Sequence, residues 1–149
     1  MTENVILTVS GRQIDLGEDA STELIAGAAY YYRNGKHFVV YDEPDPDNGG
    51  QTGNTIKIAG DRVDVIRRGT GSVHMVFEKD KQISSCYHTP AGDIWMNIYT
   101  SDIRTALEQD VIETNIDYTL HMNDIFISEC RVTIKIMSKD NASLHISAS

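Results

Sequence analysis

Alternation of apolar and polar residues runs through most of this 149-residue chain. Every second side chain of a β-strand points to the same face, so such alternation predicts strands with one buried face. The clearest segments are 5–10, 56–58, 63–65, 73–77, 94–98, 116–122 and 132–136. A chain patterned in this way is constrained to β structure over most of its length.

Turn sequences separate these segments at short intervals. Asn34-Gly35 is the strongest hairpin signal, because a two-residue type I′ turn needs positive φ at both positions. Further turns are predicted at Gly60-Asp61, Gly69-Thr70-Gly71, Lys79-Asp80-Lys81, Ala91-Gly92-Asp93 and Asn123-Asp124. We expect one all-β domain over residues 1–149, a single antiparallel up-and-down barrel of about 8–10 strands, with a frayed tail after about residue 139.

Two stretches depart from the alternation. Ile103, Leu107 and Val111 recur at helical spacing after Ser101, which favours either one short helix over 101–111 or a strand that turns near Glu108. Both alternatives stay open at this point. The segment 42–53 holds two prolines, four acids and three glycines, a composition that predicts a loop.

Charge and cysteine content exclude several classes of protein. Thirteen basic against 22 acidic residues leave a formal charge of −9, which repels phosphate backbones. The N-terminus lacks a basic, apolar leader, and the apolar run 24–32 is far shorter than the roughly 20 residues of a spanning helix. The two cysteines suit a reducing compartment. We therefore expect a cytoplasmic protein that binds neither membrane nor nucleic acid.

A set of residues along the chain resembles a known family. The set comprises Gly27, Tyr30, Tyr41, Glu43, Val63, Val65, Arg67, Gly69, Met75-x-Phe77, Tyr87-His88-Thr89-Pro90-Ala91-Gly92 and Tyr118-x-Leu120. With these residues the chain resembles the YwiB-like family of small bacterial proteins, from about Leu7 to Ile136. The resemblance implies a calycin-like (lipocalin-type) β-barrel, and it carries no activity because the family is a domain of unknown function.

Patterns typical of metal or catalytic sites are absent from the sequence. No two histidines have metal-ligand spacing on one element, and there is no Cys-x-x-Cys. Asp45-x-Asp47 begins like a calcium loop but lacks its closing glutamate, and Gly69-Thr70-Gly71 lacks the lysine of a phosphate loop. Cys86 and His88 share a strand face with Cβ atoms about 7 Å apart, which makes a direct hydrogen bond doubtful. We expect no catalytic residue, metal or cofactor.

Arg67 is the most informative polar residue, because it shares strand parity with Val63 and Val65. If these valines face the interior, so does the arginine, and an inward charge must be paired or solvated. Three alternatives follow: Arg67 reaches water at the rim, pairs with an inward acid such as Glu43, or binds an anionic ligand. Hydroxyl groups for such a pocket would come from Tyr30, Tyr41, Tyr87 and Tyr118.

Three functions are compatible with these residues. The first, which we expect, is a non-enzymatic barrel that binds one small molecule. The second is a protein-interaction or structural module with a filled barrel. The third is an enzyme that uses the interior, with Arg67 stabilising an oxyanion and Glu43 or a tyrosine as acid–base. Assembly into a homodimer also stays open.

The charge balance generates a first prediction. We expect no binding to RNA or DNA at physiological salt, because the net charge of −9 opposes association with a polyanion. A gel-shift titration with single- and double-stranded oligonucleotides measures this. Sub-micromolar binding to any of them would contradict the prediction.

Overall fold

The computed structural model describes residues 2–15, 18–44, 50–69 and 71–139. Ten β-strands account for nearly all of them. In chain order they are β1 (Thr2–Asp15), β2 (Glu18–Arg33), β3 (Lys36–Pro44), β4 (Gln51–Ala59), β5 (Arg62–Arg68), β6 (Val73–Glu78), β7 (Lys81–Thr89), β8 (Gly92–Glu108), β9 (Val111–Met122) and β10 (Ile125–Ser138).

All ten strands belong to one antiparallel sheet in the order β6-β5-β4-β3-β2-β1-β10-β9-β8-β7. Every neighbour is joined by a hairpin except the pair β1–β10, which runs in register from Val5↔Ser138 to Ile14↔Glu129. The up-and-down barrel predicted from the alternation is thereby confirmed. None of the described residues belongs to a helix long and apolar enough to span a bilayer.

The hairpin turns follow the predicted chemistry. Asn34 and Gly35 have φ values of 52° and 76°, as a type I′ turn requires. Asn123 and Asp124 repeat the geometry with φ values of 49° and 63°. Asparagine, aspartate and glycine tolerate this left-handed region better than other residues, so these turns set the register of their hairpins.

The segment 101–108 is a strand, as the second of the two sequence alternatives proposed. It forms the last half of β8, paired with β9 from Asp102↔Asp117 to Glu108↔Val111, and the turn falls at 109–110. A β-bulge between Thr100 and Asp102 shifts the side-chain parity. Ile103 is therefore buried, although it lies an odd number of residues beyond the inward Thr100.

The predicted loop 42–53 was too long. Asp42, Glu43 and Pro44 pair with Gly53, Thr52 and Gln51, so β3 and β4 extend into it from both sides. Pairing across the hairpin outweighs the weak strand propensity of these residues. The calcium-like residues Asp45 and Asp47, and the predicted frayed tail beyond 139, lie outside the described residues.

The inward side chains of the strands form one apolar cluster. Leu7, Val39, Val63 and Ile116 are fully buried within it. Its other members are Val5, Tyr41, Ile56, Ile58, Phe77, Ile98, Ile103, Ile134 and Ile136. Side chains from both halves of the sheet meet in this cluster, which forms the apolar core of the barrel.

The barrel closes along a seam between β6 and β7, the two edges of the sheet. Ser72 and His88 exchange both backbone hydrogen bonds there, at 3.0 and 2.9 Å. Within the described residues this is the sole ladder contact between the edges. The turn that joins β6 to β7 forms its backbone hydrogen bonds with other parts of the sheet. Lys79 N donates to the carbonyl of Asp61, and Asp80 N donates to the carbonyl of Thr100. We call the line from Ser72 and His88 to this turn the seam.

Two fully buried threonines generate a second prediction. Thr114 shares a hydrogen bond of 3.0 Å with Thr105, whereas the Thr100 hydroxyl has no partner among the described residues. A buried polar atom without a partner costs roughly 1–3 kcal/mol, and valine has nearly the same shape as threonine. We expect Thr100→Val to raise the free energy of unfolding by about 1 kcal/mol and the matched Thr114→Val to lower it by a similar amount. Urea unfolding of the two variants measures this, and a Thr100→Val protein as destabilised as Thr114→Val would contradict it.

Candidate functional site

A polar cluster lies on the inner face of the barrel at the end that carries the β5–β6 turn. Arg67 Nη2 lies 3.8 Å from Glu43 Oε2. Asn54, which is paired with both Tyr41 and Arg67 in the sheet, donates to Glu43 Oε1 and to the Thr52 carbonyl, each at 3.2 Å. Arg67 is therefore both partly exposed at the rim and paired with Glu43. The first two of the three alternatives drawn from the sequence thus hold together.

Exposure decides how strong this ion pair is. The Arg67 side chain is 43% exposed, and an exposed pair of this length contributes about 0–1 kcal/mol. Asn54 is only 3% exposed, and its Nδ2 donates to both Glu43 Oε1 and the Thr52 carbonyl. The amide, more than the guanidinium, holds Glu43 in place.

Two tyrosines belong to the same end of the barrel. Burial, together with the charge of Glu43, raises the pKa of Tyr41, while Arg67 opposes that effect. Tyr41 is consequently a neutral phenol that cannot act as a general base near neutral pH. Tyr87 packs over Gly71, where an added Cβ would come within 2.8 Å of its hydroxyl oxygen.

The other two candidate tyrosines lie elsewhere. The Tyr30 hydroxyl is 2.8 Å from His37 Nδ1 near the β2–β3 turn, at the opposite end from Arg67. Burial lowers the pKa of His37, which favours the neutral ring. Tyr118 packs edge-on against Phe77 at 4.9 Å between ring centroids, and burial raises its pKa. The sequence grouped six residues, and the structure brings Arg67, Glu43, Tyr41 and Tyr87 to one end.

An open groove of about 420 Å³ lies over the seam. Arg67, Arg68, His74 and His88 line it, together with the hydroxyl groups of Ser72, Ser84 and Ser85. None of its described lining residues is acidic. The lining itself is thus basic on a chain whose net charge is −9, although Glu43, Asp64 and Asp93 pair with Arg67, His74 and His88 from outside it.

Acids just outside the lining residues hold some of these cations. His74 Nε2 lies 2.7 Å from Asp64 Oδ2, and Arg62 binds the same carboxylate at 2.9 Å. Burial would raise the pKa of Asp64, but the hydrogen bonds from Arg62 and His74 outweigh it and lower the pKa. Arg68 has no ion-pair partner within the described ranges. It is the cation in the groove most available to a ligand.

A second cluster lies where the groove meets the β7–β8 hairpin. His88 Nδ1 is 3.0 Å from Asp93 Oδ1 and 3.8 Å from Cys86 Sγ. Local desolvation and the negative charge of Asp93 raise the pKa of the Cys86 thiol. A thiol kept protonated in this way is a poor nucleophile, so the cluster does not favour cysteine catalysis. These three side chains are the group in the described chain that could hold a metal ion.

Sequence reasoning placed Arg67 correctly and missed Arg68, Asn54 and Asp93. Strand parity identified the inward arginine, whereas an outward arginine beside it looked like ordinary surface. The turn Pro90-Ala91 was the signal for Asp93, because a two-residue hairpin loop places residues 88 and 93 opposite each other.

The rim cluster generates a third prediction. We expect Asn54→Ala to lower the free energy of unfolding by about 1–3 kcal/mol, because it removes the donor to the buried Thr52 carbonyl and to the partly buried Glu43 carboxylate. We expect Arg67→Met and Glu43→Gln to cost under about 1 kcal/mol each, with a coupling energy of similar size in the double variant. Urea unfolding of the four proteins measures these values. An Arg67→Met protein less stable than Asn54→Ala would show that the ion pair dominates the rim.

Comparisons with known proteins agree with the observed fold. Residues 7–134 match the family described as a domain of unknown function, DUF1934. The crystal structure of the ywiB protein from Bacillus subtilis is similar over 92% of both chains, with a TM-score of 0.79 and 19% sequence identity. No curated protein matches the chain. At that level of identity the structural similarity shows the fold alone, and the family match extends over most of the chain. The chain therefore belongs to the DUF1934 family, as the resemblance seen in its sequence implied.

Proposed function

We propose that this protein is a non-enzymatic β-barrel that binds a small molecule bearing a carboxylate or phosphate group. The binding site is the groove over the seam. One observation carries the proposal: two arginines, two histidines and three serines line that groove without an acid, on a strongly acidic chain. A basic groove on such a surface concentrates small anions where the rest of the surface repels them.

The chemistry of the groove suits an anion of modest size. Its volume of about 420 Å³ lies within the range of small-molecule sites. Arg68 offers a planar fork of donors that matches two oxygens of a carboxylate or phosphate. The hydroxyl groups of Ser72 and Ser85 in the lining add neutral hydrogen-bonding groups.

The wall of the barrel is a better location than its centre. The buried apolar cluster lines the described interior, which is an unfavourable environment for an anion. Arg67 lines the groove and pairs with Glu43, and the charges of both residues act on Tyr41. Binding rather than catalysis is proposed because Asn54 and Arg67 already engage the Glu43 carboxylate, and because the pKa values of Tyr41 and Cys86 are both raised.

This function suits a cytoplasmic protein. Cys86 and Cys130 are both free thiols. A reducing compartment keeps such thiols from oxidation, and small carboxylates and phosphates are abundant there.

A specific observation favours one alternative function, that of an interaction module. Trp95 and Phe126 are 57% and 47% exposed on neighbouring hairpins, and Ile125 is 66% exposed beside them. Exposed aromatic and aliphatic side chains of this kind occur at protein interfaces. Sedimentation of the protein and of a Trp95→Ser variant tests the homodimer. A dimer lost on substitution would favour this function, and a monomer in both cases would weigh against self-association.

Anion binding generates a fourth prediction. Citrate, inorganic phosphate and pyrophosphate are the probes, each compared with sodium chloride at equal ionic strength. We expect at least one probe to raise the melting temperature of the protein above the chloride value, because a ligand that binds only the folded state stabilises it by mass action. In Arg68→Met that increase is lost.

Arg33→Met is the matched control for this experiment. Arg33 is exposed at the β2–β3 turn, at the opposite end from the groove, so its loss changes the net charge equally. We expect it to keep the full thermal shift. The proposal would be overturned if no probe exceeds chloride, or if both variants lose the shift to the same extent.

A further inference from the structure

Three metal-binding side chains converge on the outer face of the β7–β8 hairpin. Cys86 and His88 are two residues apart on β7 and so lie on the same face. Asp93 is the residue of β8 directly opposite His88 in the register. The three donor atoms all lie within 4.8 Å of one another.

The spacing of the donors resembles a tetrahedral ion site. Zinc lies about 2.3 Å from sulfur and about 2.0–2.1 Å from nitrogen or oxygen, which separates tetrahedral donors by about 3.3–3.6 Å. Cys86 Sγ and His88 Nδ1 are 3.8 Å apart, and His88 Nδ1 and Asp93 Oδ1 are 3.0 Å apart. These two distances bracket the required values, so rotations of exposed side chains suffice to close the site.

We propose that Cys86, His88 and Asp93 bind a single divalent transition-metal ion of the zinc type. A thiolate and an imidazole beside one carboxylate favour zinc or cobalt over magnesium and calcium, which prefer sets of oxygen ligands. On binding, the thiol proton leaves to solvent and the imidazole proton moves to Nε2, so that Sγ and Nδ1 both face the ion.

The backbone beneath the site is well ordered by hydrogen bonds. His88 is bridged to Ser72 on one side and paired with Asp93 on the other. At the hairpin tip the Thr89 hydroxyl donates to the Gly92 carbonyl at 2.6 Å and accepts from Ala91 N at 3.2 Å. The Cα positions of the ligands are thereby set before any ion arrives, which lowers the entropic cost of binding.

Metal binding at this site does not depend on the proposed anion binding, although Cys86 and His88 also line the groove. His88 and Asp93 are 61% and 57% exposed, so we expect the fold to form without the ion. Three protein donors leave one position of a tetrahedral ion open, the arrangement of exchangeable rather than structural zinc sites. The ion alone is the probe, so failure of this proposal and failure of anion binding are separate results.

Cobalt and zinc titrations of the reduced protein test the site. Cobalt bound to Cys86 produces a near-ultraviolet sulfur-to-metal charge-transfer band. It also quenches the fluorescence of Trp95, the single tryptophan, which lies opposite Cys86 in the register. Zinc affinity is measured by competition with a chromophoric chelator. We expect one ion per chain, with both optical signals saturating together.

Variants at the three ligands decide the assignment. We expect Cys86→Ser to abolish the charge-transfer band, and Cys86→Ser, His88→Gln and Asp93→Asn each to weaken zinc binding by at least about tenfold. His121→Gln and Asp124→Asn, on the neighbouring β9–β10 hairpin, are the matched controls and keep the wild-type affinity. Melting curves recorded without metal check that each variant folds.

Several results would overturn the proposal. These are a wild-type protein with no charge-transfer band, ligand variants that bind zinc like the wild type, or control variants that weaken binding equally. The wild-type signals are decisive even if one variant fails to fold. Cys130 is 7% exposed and pairs with Tyr118, whereas Cys86 pairs with Trp95. Only an ion bound to Cys86 therefore gives both the charge-transfer band and the quenching of Trp95.

Discussion

The pairing of β1 with β10 holds the two halves of the barrel together. All other ladders join strands that are consecutive in the chain, whereas this one unites segments more than a hundred residues apart. Its register places Leu7 beside Ile136 and Val9 beside Ile134, four apolar side chains on the inner face. A register shift of one residue would turn the apolar side chains of one of the two strands toward solvent. Burial of these side chains therefore strongly favours the observed register.

The alternation of the sequence was sufficient to predict this architecture, because a half-buried strand leaves a period of two wherever its pleat is regular. It failed where the pleat is irregular. The bulge at Thr100 and Asp102 shifts the inward position from even to odd numbers, so the alternation of 94–98 does not continue in phase into 101–111. Leu107, one of the supposed helix-face residues, is 65% exposed in the strand. Composition likewise overstated the loop 42–53, because pairing across a hairpin depends on both strands at once.

The candidate sites show the same division between local and non-local information. The inward position of Arg67 follows from its neighbours on one strand, so parity was enough to place it. Its partner Glu43 lies two strands away, and the buried Asn54 that holds Glu43 was invisible to pattern reasoning. The groove depends on β6 and β7 being the edges of the sheet, a fact of topology. Both the groove and the Cys86, His88 and Asp93 cluster border the seam, where the closure of the barrel is weakest.

The order of strands in the sheet has a consequence for how the chain reaches its fold. Reading from β7 through β10 and then from β1 to β6 gives ten strands in simple succession around the barrel. The connectivity of this chain is a circular permutation of that meander. The edges of the sheet are β6 and β7, which are consecutive in the chain, whereas the first and last strands, β1 and β10, pair in the middle of the sheet. The entropy of closing a long loop is therefore concentrated in one ladder, which must form across nearly the whole chain. A topology so local in every other pairing favours early formation of the hairpins and late formation of the β1–β10 ladder.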